Sequence, residues 1–310
     1  MKFAILGAGG IGGYYGGALA HAGHDVEVLA RAANLAALRS KGLEVRTPEQ
    51  SFVVQVKAAE RPEELEPADC ALIAVKTYSL AEIAPAARHL ARSGALVVPL
   101  LNGVDIAERL VELGVPQENV IGGLTTISVV RVAPGVFERR STFQKVVIGE
   151  FPDFAGANDS SRSARIRDIV KAFQEAGVDA QLSADIRAEL WRKFAFIAAM
   201  AVACGLSRAS VGAVRSAPLG PVLLERAIRE VVTVAGARGI HLADDEVARI
   251  LKFCNSLPPA MKPSLLVDLE AGRPSEINEL SGAVGRIGRL VGIETPIHDT
   301  ALTALSAAAR

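Results

Sequence analysis

The sequence predicts an α/β protein in which a doubly wound parallel sheet comes first and an all-helical domain follows. In the first half, short β-branched runs alternate with alanine-rich helical stretches. This order is typical of parallel strands joined by right-handed crossovers. After Ser183 almost every stretch has helical spacing. We therefore expect a boundary near residue 182, which gives domains 1–182 and 183–310.

The strands of the first domain are predicted from apolar runs, and its helices from apolar residues at helical spacing. The predicted strands are Lys2–Leu6, Asp25–Ala30, Cys70–Val75, Ala95–Leu101 and Asn119–Gly122. The predicted helices between them are Ala32–Ser40 and Leu80–Arg92. The runs 71–75 and 96–98 lack polar side chains, as expected of strands covered on both faces.

The pattern changes after about residue 125 and predicts an antiparallel extension of the same sheet. Strand-like runs at Thr126–Val132 and Lys145–Ile148 are joined through Pro134-Gly135. Further along, a surface loop is predicted at Phe151–Ser163, a helix at Arg165–Ala176 and a strand at Val178–Leu182.

Composition excludes several classes of protein. The 34 Lys plus Arg balance 34 Asp plus Glu, and this argues against a nucleic-acid binder, which needs a basic surplus. The longest apolar stretch, Phe194–Leu206, is shorter than the roughly 18 residues of a membrane span. The first residues run directly into a glycine cluster, without the pattern of a signal peptide. The sparse cysteines, Cys70, Cys204 and Cys254, have no zinc-site spacing and indicate reduced thiols in a cytosolic protein.

The glycine cluster has the spacing of a dinucleotide-binding loop. Gly7-Ala8-Gly9-Gly10-Ile11-Gly12 fits G-x-G-x-x-G, and it follows a predicted strand and precedes a predicted helix. Gly7 permits the tight turn, Gly9 admits the pyrophosphate, and Gly12 brings helix against strand. The helix N-terminus then binds the phosphate charge. The first domain is therefore predicted to be of the Rossmann type, with a structural glycine turn as the alternative.

The residues after the second strand favour NADP over NAD. An NAD enzyme carries an acidic residue there for the ribose hydroxyls, whereas this chain has Leu29-Ala30-Arg31. The Arg31 guanidinium suits a 2′-phosphate, and a solvated surface arginine is the alternative.

Polar residues follow two further strands, where ligands of open α/β sheets bind. Lys76 follows the third predicted strand, and Asn102 follows the fourth. Lys76 would supply positive charge near the adenosine phosphate or ribose, and Asn102 would hold the nicotinamide ribose or a substrate oxygen. Taken alone, each residue is more typical of a polar loop group than of a ligand. Together with the glycine loop, the two positions favour a binding site.

Two charged residues of the helical domain attract attention. Lys193 lies on the flank of a strongly apolar helix, where a lysine that extends to solvent is the structural alternative. Ser275 is predicted to cap a helix, which would place Glu276 in its first turn. Spacing alone does not pair Glu276 with Lys193.

Together these residues resemble the ketopantoate reductases (2-dehydropantoate 2-reductases), within the wider 6-phosphogluconate-dehydrogenase-like group. The matching pieces run the whole length of the chain. They are the glycine loop, Arg31, Val75-Lys76-Thr77, Leu101-Asn102-Gly103, Pro134-Gly135, Trp191-Arg192-Lys193, Pro263-Ser264 and Ser275-Glu276-Ile277-Asn278.

The resemblance implies a role for each matching residue. Lys193 would be the general acid that protonates the substrate carbonyl as hydride arrives from NADPH, and Glu276 the acidic residue beside it. Ser264 would hold the substrate carboxylate, Asn102 would lie at the cofactor–substrate junction, and Arg31 would bind the 2′-phosphate. An ammonium group beside a carbonyl offsets the charge that hydride transfer builds on oxygen.

The chain departs from the family at two positions. Ile197 and Ala201 stand four and eight residues after Lys193, where the family usually has asparagines that bind substrate. The expected reaction is reduction of ketopantoate to pantoate. One alternative is a more apolar 2-oxo acid reduced by the same mechanism, and another is a non-catalytic NADPH sensor. A homodimer is permitted but not required.

Overall fold

The computed structural model describes residues 1–154 and 160–307, and their contacts divide the chain into two units. The first unit is Met1–Leu101 with Asp105–Ile186. The second is Asn102–Val104 with the chain from Arg187 onward. The predicted class is confirmed, because the first unit contains a parallel sheet and the second is helical.

The first sheet is parallel throughout and has the strand order β5-β2-β1-β6-β7. Its strands are β1 Lys2–Leu6, β2 Asp25–Leu29, β5 Lys57–Ala59, β6 Cys70–Ile73 and β7 Leu96–Pro99. Helices α1 Gly10–His21, α2 Ala32–Lys41 and α3 Leu80–Arg92 follow β1, β2 and β6. Every residue of β6 and β7 is buried, as the uninterrupted apolar runs predict.

A second sheet, which the sequence analysis missed, has the order β4-β3-β10-β9. Its strands are β3 Leu43–Arg46, β4 Ser51–Val54, β9 Val129–Ala133 and β10 Val136–Arg139. Pro134-Gly135 joins β9 to β10, so the predicted connection from Thr126–Val132 to Lys145–Ile148 is wrong.

The predicted antiparallel extension is a separate third sheet, with the order β12-β11-β8. Its strands are β8 Gly122–Thr126, β11 Lys145–Gly149 and β12 Asp179–Leu182. Strand β8 is antiparallel to β11. Just before β8, Val120 forms an isolated parallel bridge with Val97 of β7 in the first sheet. The predicted strand Asn119–Gly122 is displaced, because Gln117–Asn119 forms a 3₁₀ turn.

The remaining helices of the first unit also differ in detail from the prediction. Helix α4 spans Ile106–Glu112, and α5 spans Ser160–Glu175, so α5 begins five residues before the predicted start at Arg165. Of the predicted loop Phe151–Ser163, residues 155–159 lie outside the described residues. Its first residues pack inward, since Phe151 and Phe154 are buried with ring centroids 5.1 Å apart.

Helix α1 packs on both sides through glycines. A Cβ on Gly16 would lie 3.1 Å from the Ile5 side chain of β1. A Cβ on Gly13 would lie 2.3 Å from the Phe137 ring of β10, and one on Gly17 would lie 2.4 Å from Val45 of β3. The helix therefore lies between the first and second sheets, at a separation that only glycine permits.

The second unit is built around helix α6, Ile186–Ser207. Around it are α7 Val211–Ser216, α8 Gly220–Ala237, α9 Glu246–Ser256, α10 Ser264–Glu270, α11 Ser281–Leu290 and α12 Pro296–Ala307. Helix α6 extends beyond the predicted apolar stretch and passes the length and composition test for a membrane span. However, 61% of its most apolar window is buried inside the protein, as in a core helix.

The glycine packing of α1 predicts opposite effects for two helical glycines. Gly13→Ala should destabilise the first unit by about 1–3 kcal/mol, because the methyl group overpacks against Phe137. Gly236→Ala, in α8 with no neighbour within 4 Å of the new Cβ, should stabilise the second unit by up to about 1 kcal/mol. Urea unfolding followed by circular dichroism measures both. Wild-type stability of Gly13→Ala would show that the Phe137 ring turns aside without cost.

Candidate active site

The glycine loop connects β1 to α1. Gly7 has a φ of +115°, and a Cβ there would lie 2.5 Å from the Val75 side chain. A Cβ on Gly12 would lie 2.0 Å from the carbonyl oxygen of Gly7. These two glycines are required by the protein's own backbone and packing.

Gly9 is different, and its surroundings fit a bound phosphate group. A Cβ there would lie 3.6 Å from the Ala74 carbonyl oxygen, an ordinary contact, so the protein itself does not demand glycine at this position. Gly9 caps α1 without any side-chain hydrogen bond to the helix N-terminus. A pyrophosphate that approached the backbone closely at this uncapped helix N-terminus would need such an arrangement.

Gly10 and Ile11 form the first turn of α1. A Cβ on Gly10 would lie 2.6 Å from the carbonyl oxygen of Val129 in β9. Packing of the second sheet therefore requires this glycine, whether or not it also contacts a cofactor. Ile11 is half-buried and packs against the core of the first unit.

Arg31 and Lys76 lie beyond the carboxyl ends of β2 and β6, the two strands that flank β1. Arg31 is exposed, precedes α2 and forms an ion pair with Glu82 in the first turn of α3. Lys76 is half-buried and precedes a 3₁₀ turn at Thr77–Ser79. Both cations are therefore placed at the edge of the sheet that carries the glycine loop.

Asn34 is a residue that the sequence analysis missed. Its side-chain amide donates to the carbonyl oxygen of Ala8, at 2.9 Å, and its amide oxygen accepts from the Gly135 N–H, at 2.8 Å. It thereby fixes the glycine loop to the β9–β10 hairpin. The sequence offered one signal for this role, since Asn34 is a polar residue on the apolar face of a short alanine-rich helix.

Three of the predicted site residues form one hydrogen-bonded group in the second unit. The Lys193 ammonium group donates to the amide oxygen of Asn102, with 3.1 Å between Nζ and Oδ1. The Asn102 amide nitrogen lies 3.4 Å from a carboxylate oxygen of Glu276. Asn102 follows β7 in the sequence but makes its contacts with the helical unit. The structure therefore brings together side chains that lie 91 and 174 positions apart.

Opposing effects determine the charge of Lys193. Burial in the apolar surroundings of α6 lowers the pKa of its amine to about 8, and the negative charge of Glu276 partly offsets this by raising it. Glu276 is itself buried. At neutral pH the amine is still mostly protonated, and it can release its proton more readily than an exposed lysine.

A half-buried ion pair holds the helix turn that carries Lys193. The Arg192 guanidinium donates to Glu246 at 3.0 Å and contacts Glu189 at 2.9 Å. The Glu246 side chain is 1% exposed and belongs to the first turn of α9. Since leaving a buried carboxylate unpaired is strongly unfavourable, this contact ties α6 to α9 beside the site.

Other predicted residues are not joined to this group. Ser264 is exposed at the start of α10, and no hydrogen bond within residues 1–154 and 160–307 links it to Lys193, Asn102 or Glu276. Ile197 is half-buried against the helical core, and Ala201 is 1% exposed within it.

The predicted placement of Glu276 in a helix is wrong. Glu276 lies in a separate turn, in which the Leu280 N–H donates to the Glu276 carbonyl oxygen at 2.9 Å. Leu280 leaves helical geometry, with φ of −98° and ψ of −89°, and α11 begins at Ser281.

Metal ligation and disulfides have no visible basis in the described residues. Within them no group of three His, Cys, Asp or Glu side chains is placed to hold a metal ion. The cysteines Cys70, Cys204 and Cys254 are free and buried.

The sequence and structure match known oxidoreductases along their whole length. The family model "Ketopantoate reductase PanE/ApbA" matches residues 3–153, and "Ketopantoate reductase PanE/ApbA C terminal" matches residues 185–309. A 2-dehydropantoate 2-reductase of Halobacterium salinarum is 31% identical over 304 residues, which cover 97% of this chain and 96% of the relative.

Solved structures agree with this match. The crystal structure of 2-dehydropantoate 2-reductase from Geobacter metallireducens is 29% identical, has a TM-score of 0.89 and covers 99% of this chain and 100% of that one. A D-mandelate dehydrogenase solved with NADH and anilino(oxo)acetate shares the fold, with a TM-score of 0.88 at 23% identity, over 100% of this chain and 98% of that one.

The fold, the glycine loop and these matches define a nicotinamide-dependent oxidoreductase. The chain belongs to the ketopantoate reductase (2-dehydropantoate 2-reductase) family. The prediction of an enzyme is therefore confirmed.

The electrostatics of Lys193 predict the pH dependence of this enzyme. If Lys193 is the proton donor, kcat/KM for reduction should fall about tenfold per pH unit once the pH exceeds the lysine's pKa of about 8. Glu276→Gln removes the charge that raises this pKa, so the falling limb should move to lower pH. Glu270→Gln, an exposed carboxylate paired with Lys262, is the control. If the falling limb of the pH profile of Glu276→Gln stays in place or moves to higher pH, Lys193 is not the proton donor.

Proposed function

We propose that this protein reduces a 2-oxo acid to the 2-hydroxy acid with NADPH, with ketopantoate to pantoate as the leading reaction. The observation that carries the proposal is the group formed by Lys193, Asn102 and Glu276, a half-buried ammonium beside an amide and a buried carboxylate. The names of the relatives support ketopantoate as the substrate. The cofactor, when bound, supplies the hydride that the carbonyl carbon accepts.

Each residue of the group has a distinct part in the mechanism. The Lys193 ammonium donates a hydrogen bond to the substrate carbonyl oxygen and then transfers its proton to that oxygen. Asn102 accepts a hydrogen bond from the ammonium and so fixes its direction. Glu276 favours the protonated lysine by its charge, so that the amine regains its proton after each turnover.

The choice of NADPH rests on the end of β2. No carboxylate follows Leu29, where an NAD enzyme would bind the ribose hydroxyls, and Arg31 offers a planar guanidinium for the 2′-phosphate. Gly7, Gly9, Gly10, Ile11, Gly12, Arg31, Lys76 and Asn102 are the proposed cofactor-binding residues. We propose residues 1–182 as the NADP-binding domain and 183–310 as the substrate and catalytic domain.

A second substrate class is favoured by the helix face beyond Lys193. Ile197 and Ala201 cannot hydrogen-bond through their side chains, and Ile197 is the more accessible of the two. If the substrate contacts this face at Ile197, the apolar surface suits a 2-oxo acid with an apolar side chain. Ser264 remains the proposed ligand of the substrate carboxylate.

Three free, buried cysteines are consistent with a cytoplasmic enzyme.

The catalytic assignment is tested by removing the amine. Lys193→Ala should lower turnover with NADPH by about 10²–10⁴-fold, the span of general acid catalysis, while the affinity for NADPH stays close to that of the wild type. Lys252→Ala, an exposed lysine on α9, is the matched control. Stopped-flow reduction and a separate NADPH titration measure the two effects. Near-normal turnover in Lys193→Ala would refute the mechanism.

The substrate class is tested with 2-oxo acids that differ in polarity. An apolar wall discriminates between a hydroxyl group and its absence by about 10²-fold or less, so 2-oxoisovalerate should be reduced at a rate comparable with ketopantoate. Ile197→Asn should shift kcat/KM toward ketopantoate, and Ile197→Val should not. A preference for ketopantoate of roughly 10⁴ in the wild type would indicate direct recognition of its hydroxyl group and contradict the apolar pocket.

A further inference from the structure

The carboxylate of Glu82 lies where it can influence the choice of cofactor. Arg31 follows β2, and Glu82 is in the first turn of α3, which follows β6. In the sheet, β2 and β6 are the two neighbours of β1, whose carboxyl end continues into the glycine loop. The ion pair between Arg31 and Glu82 therefore joins the strand ends on the two sides of that loop.

The ion pair between Arg31 and Glu82 is exposed and weak enough for another anion to replace Glu82. The Arg31 side chain is 61% exposed and the Glu82 side chain is 57% exposed, so water and salt screen their attraction. A phosphate monoester carries more charge than a carboxylate and binds guanidinium through two parallel hydrogen bonds. A 2′-phosphate can therefore take Arg31 from Glu82, but it must displace this contact to do so.

NADPH and NADH differ in the group that Arg31 would meet. With NADH there is no 2′-phosphate, and the pair between Arg31 and Glu82 can persist. With NADPH the 2′-phosphate competes with the Glu82 carboxylate for the Arg31 guanidinium group. The negative charge of Glu82 also repels the negatively charged phosphate. The arginine that favours NADPH is thus partly neutralised by a residue on another helix.

We propose that Glu82 is a specificity-determining residue that competes with the 2′-phosphate for Arg31 and so limits the preference for NADPH over NADH. The proposal rests on the proposed use of NADPH. Glu82 contributes no contact to hydride transfer, and its effect is on cofactor affinity alone.

The test is a double-mutant cycle measured by cofactor binding. Dissociation constants for NADPH and NADH are obtained from nicotinamide fluorescence at low salt for the wild type, Arg31→Ala, Glu82→Gln and the double variant. Glu82→Gln should tighten NADPH binding by about twofold to fivefold, which corresponds to the loss of a competing surface ion pair. Binding of NADH should change less than this, and the gain for NADPH should shrink at high salt.

A matched variant separates the local effect from net charge. Glu175 is also an exposed carboxylate, and it contacts His24, which precedes the amino end of β2 at the opposite edge of the sheet. Glu175→Gln makes the same change in charge and should leave both affinities unaltered. An equal gain for NADPH in Glu175→Gln would overturn the proposal.

The remaining outcomes distinguish this proposal from the proposed function. If Arg31→Ala weakens NADPH binding and Glu82→Gln leaves it unchanged or weaker, the role of Glu82 is refuted and NADPH use stands. If Arg31→Ala leaves NADPH binding unaltered, the proposed NADPH preference through Arg31 fails, and the role of Glu82 fails with it. If Glu82→Gln tightens NADPH binding equally with and without Arg31, the carboxylate does not act by competing for that arginine.

Discussion

The close packing of helix α1 between two sheets is the constraint on which the first unit depends. Gly12 and Gly16 allow it to approach β1, and Gly13 and Gly17 allow the second sheet to approach from the other side. Larger residues at these positions would separate the layers and displace the loop that begins the helix. Protein packing therefore accounts for most positions in this run of glycines, whereas Gly9 leaves room for the phosphate group that we propose binds there.

The parts of the fold that the sequence predicts well are those whose stability is local and apolar. Strands β1, β2, β6 and β7 are buried on both faces, so their composition alone identifies them. The second sheet was missed because β3 and β4 have only four residues each and expose alternate side chains. Its central pairing joins β3 to β10, about ninety positions along the chain, and no local pattern encodes such a contact.

For the candidate site too, the sequence identifies the residues, whereas long-range packing determines which of them meet. Residue types and the family resemblance drew attention to Lys193, Asn102 and Glu276, but their meeting depends on packing between distant segments. Helix α6 links the fold to the chemistry. Its apolar surface makes it the core of the second unit, and the same apolar surroundings lower the pKa of the lysine on its flank. A more polar helix would pack less well, and the pKa of the Lys193 amine would then stay close to that of an exposed lysine.

The assignment of Asn102–Val104 to the helical unit has a consequence for how these proteins can be divided. The chain leaves the sheet unit after Leu101, contributes three residues to the helical unit, and returns at Asp105. A fragment that begins at Arg187 would keep Lys193 and Glu276 but lack the amide that lies between them. The two halves are therefore not independent modules. If the helical half of one relative is recombined with the sheet half of another, the group of Lys193, Asn102 and Glu276 is transferred incompletely unless this short insertion is exchanged as well.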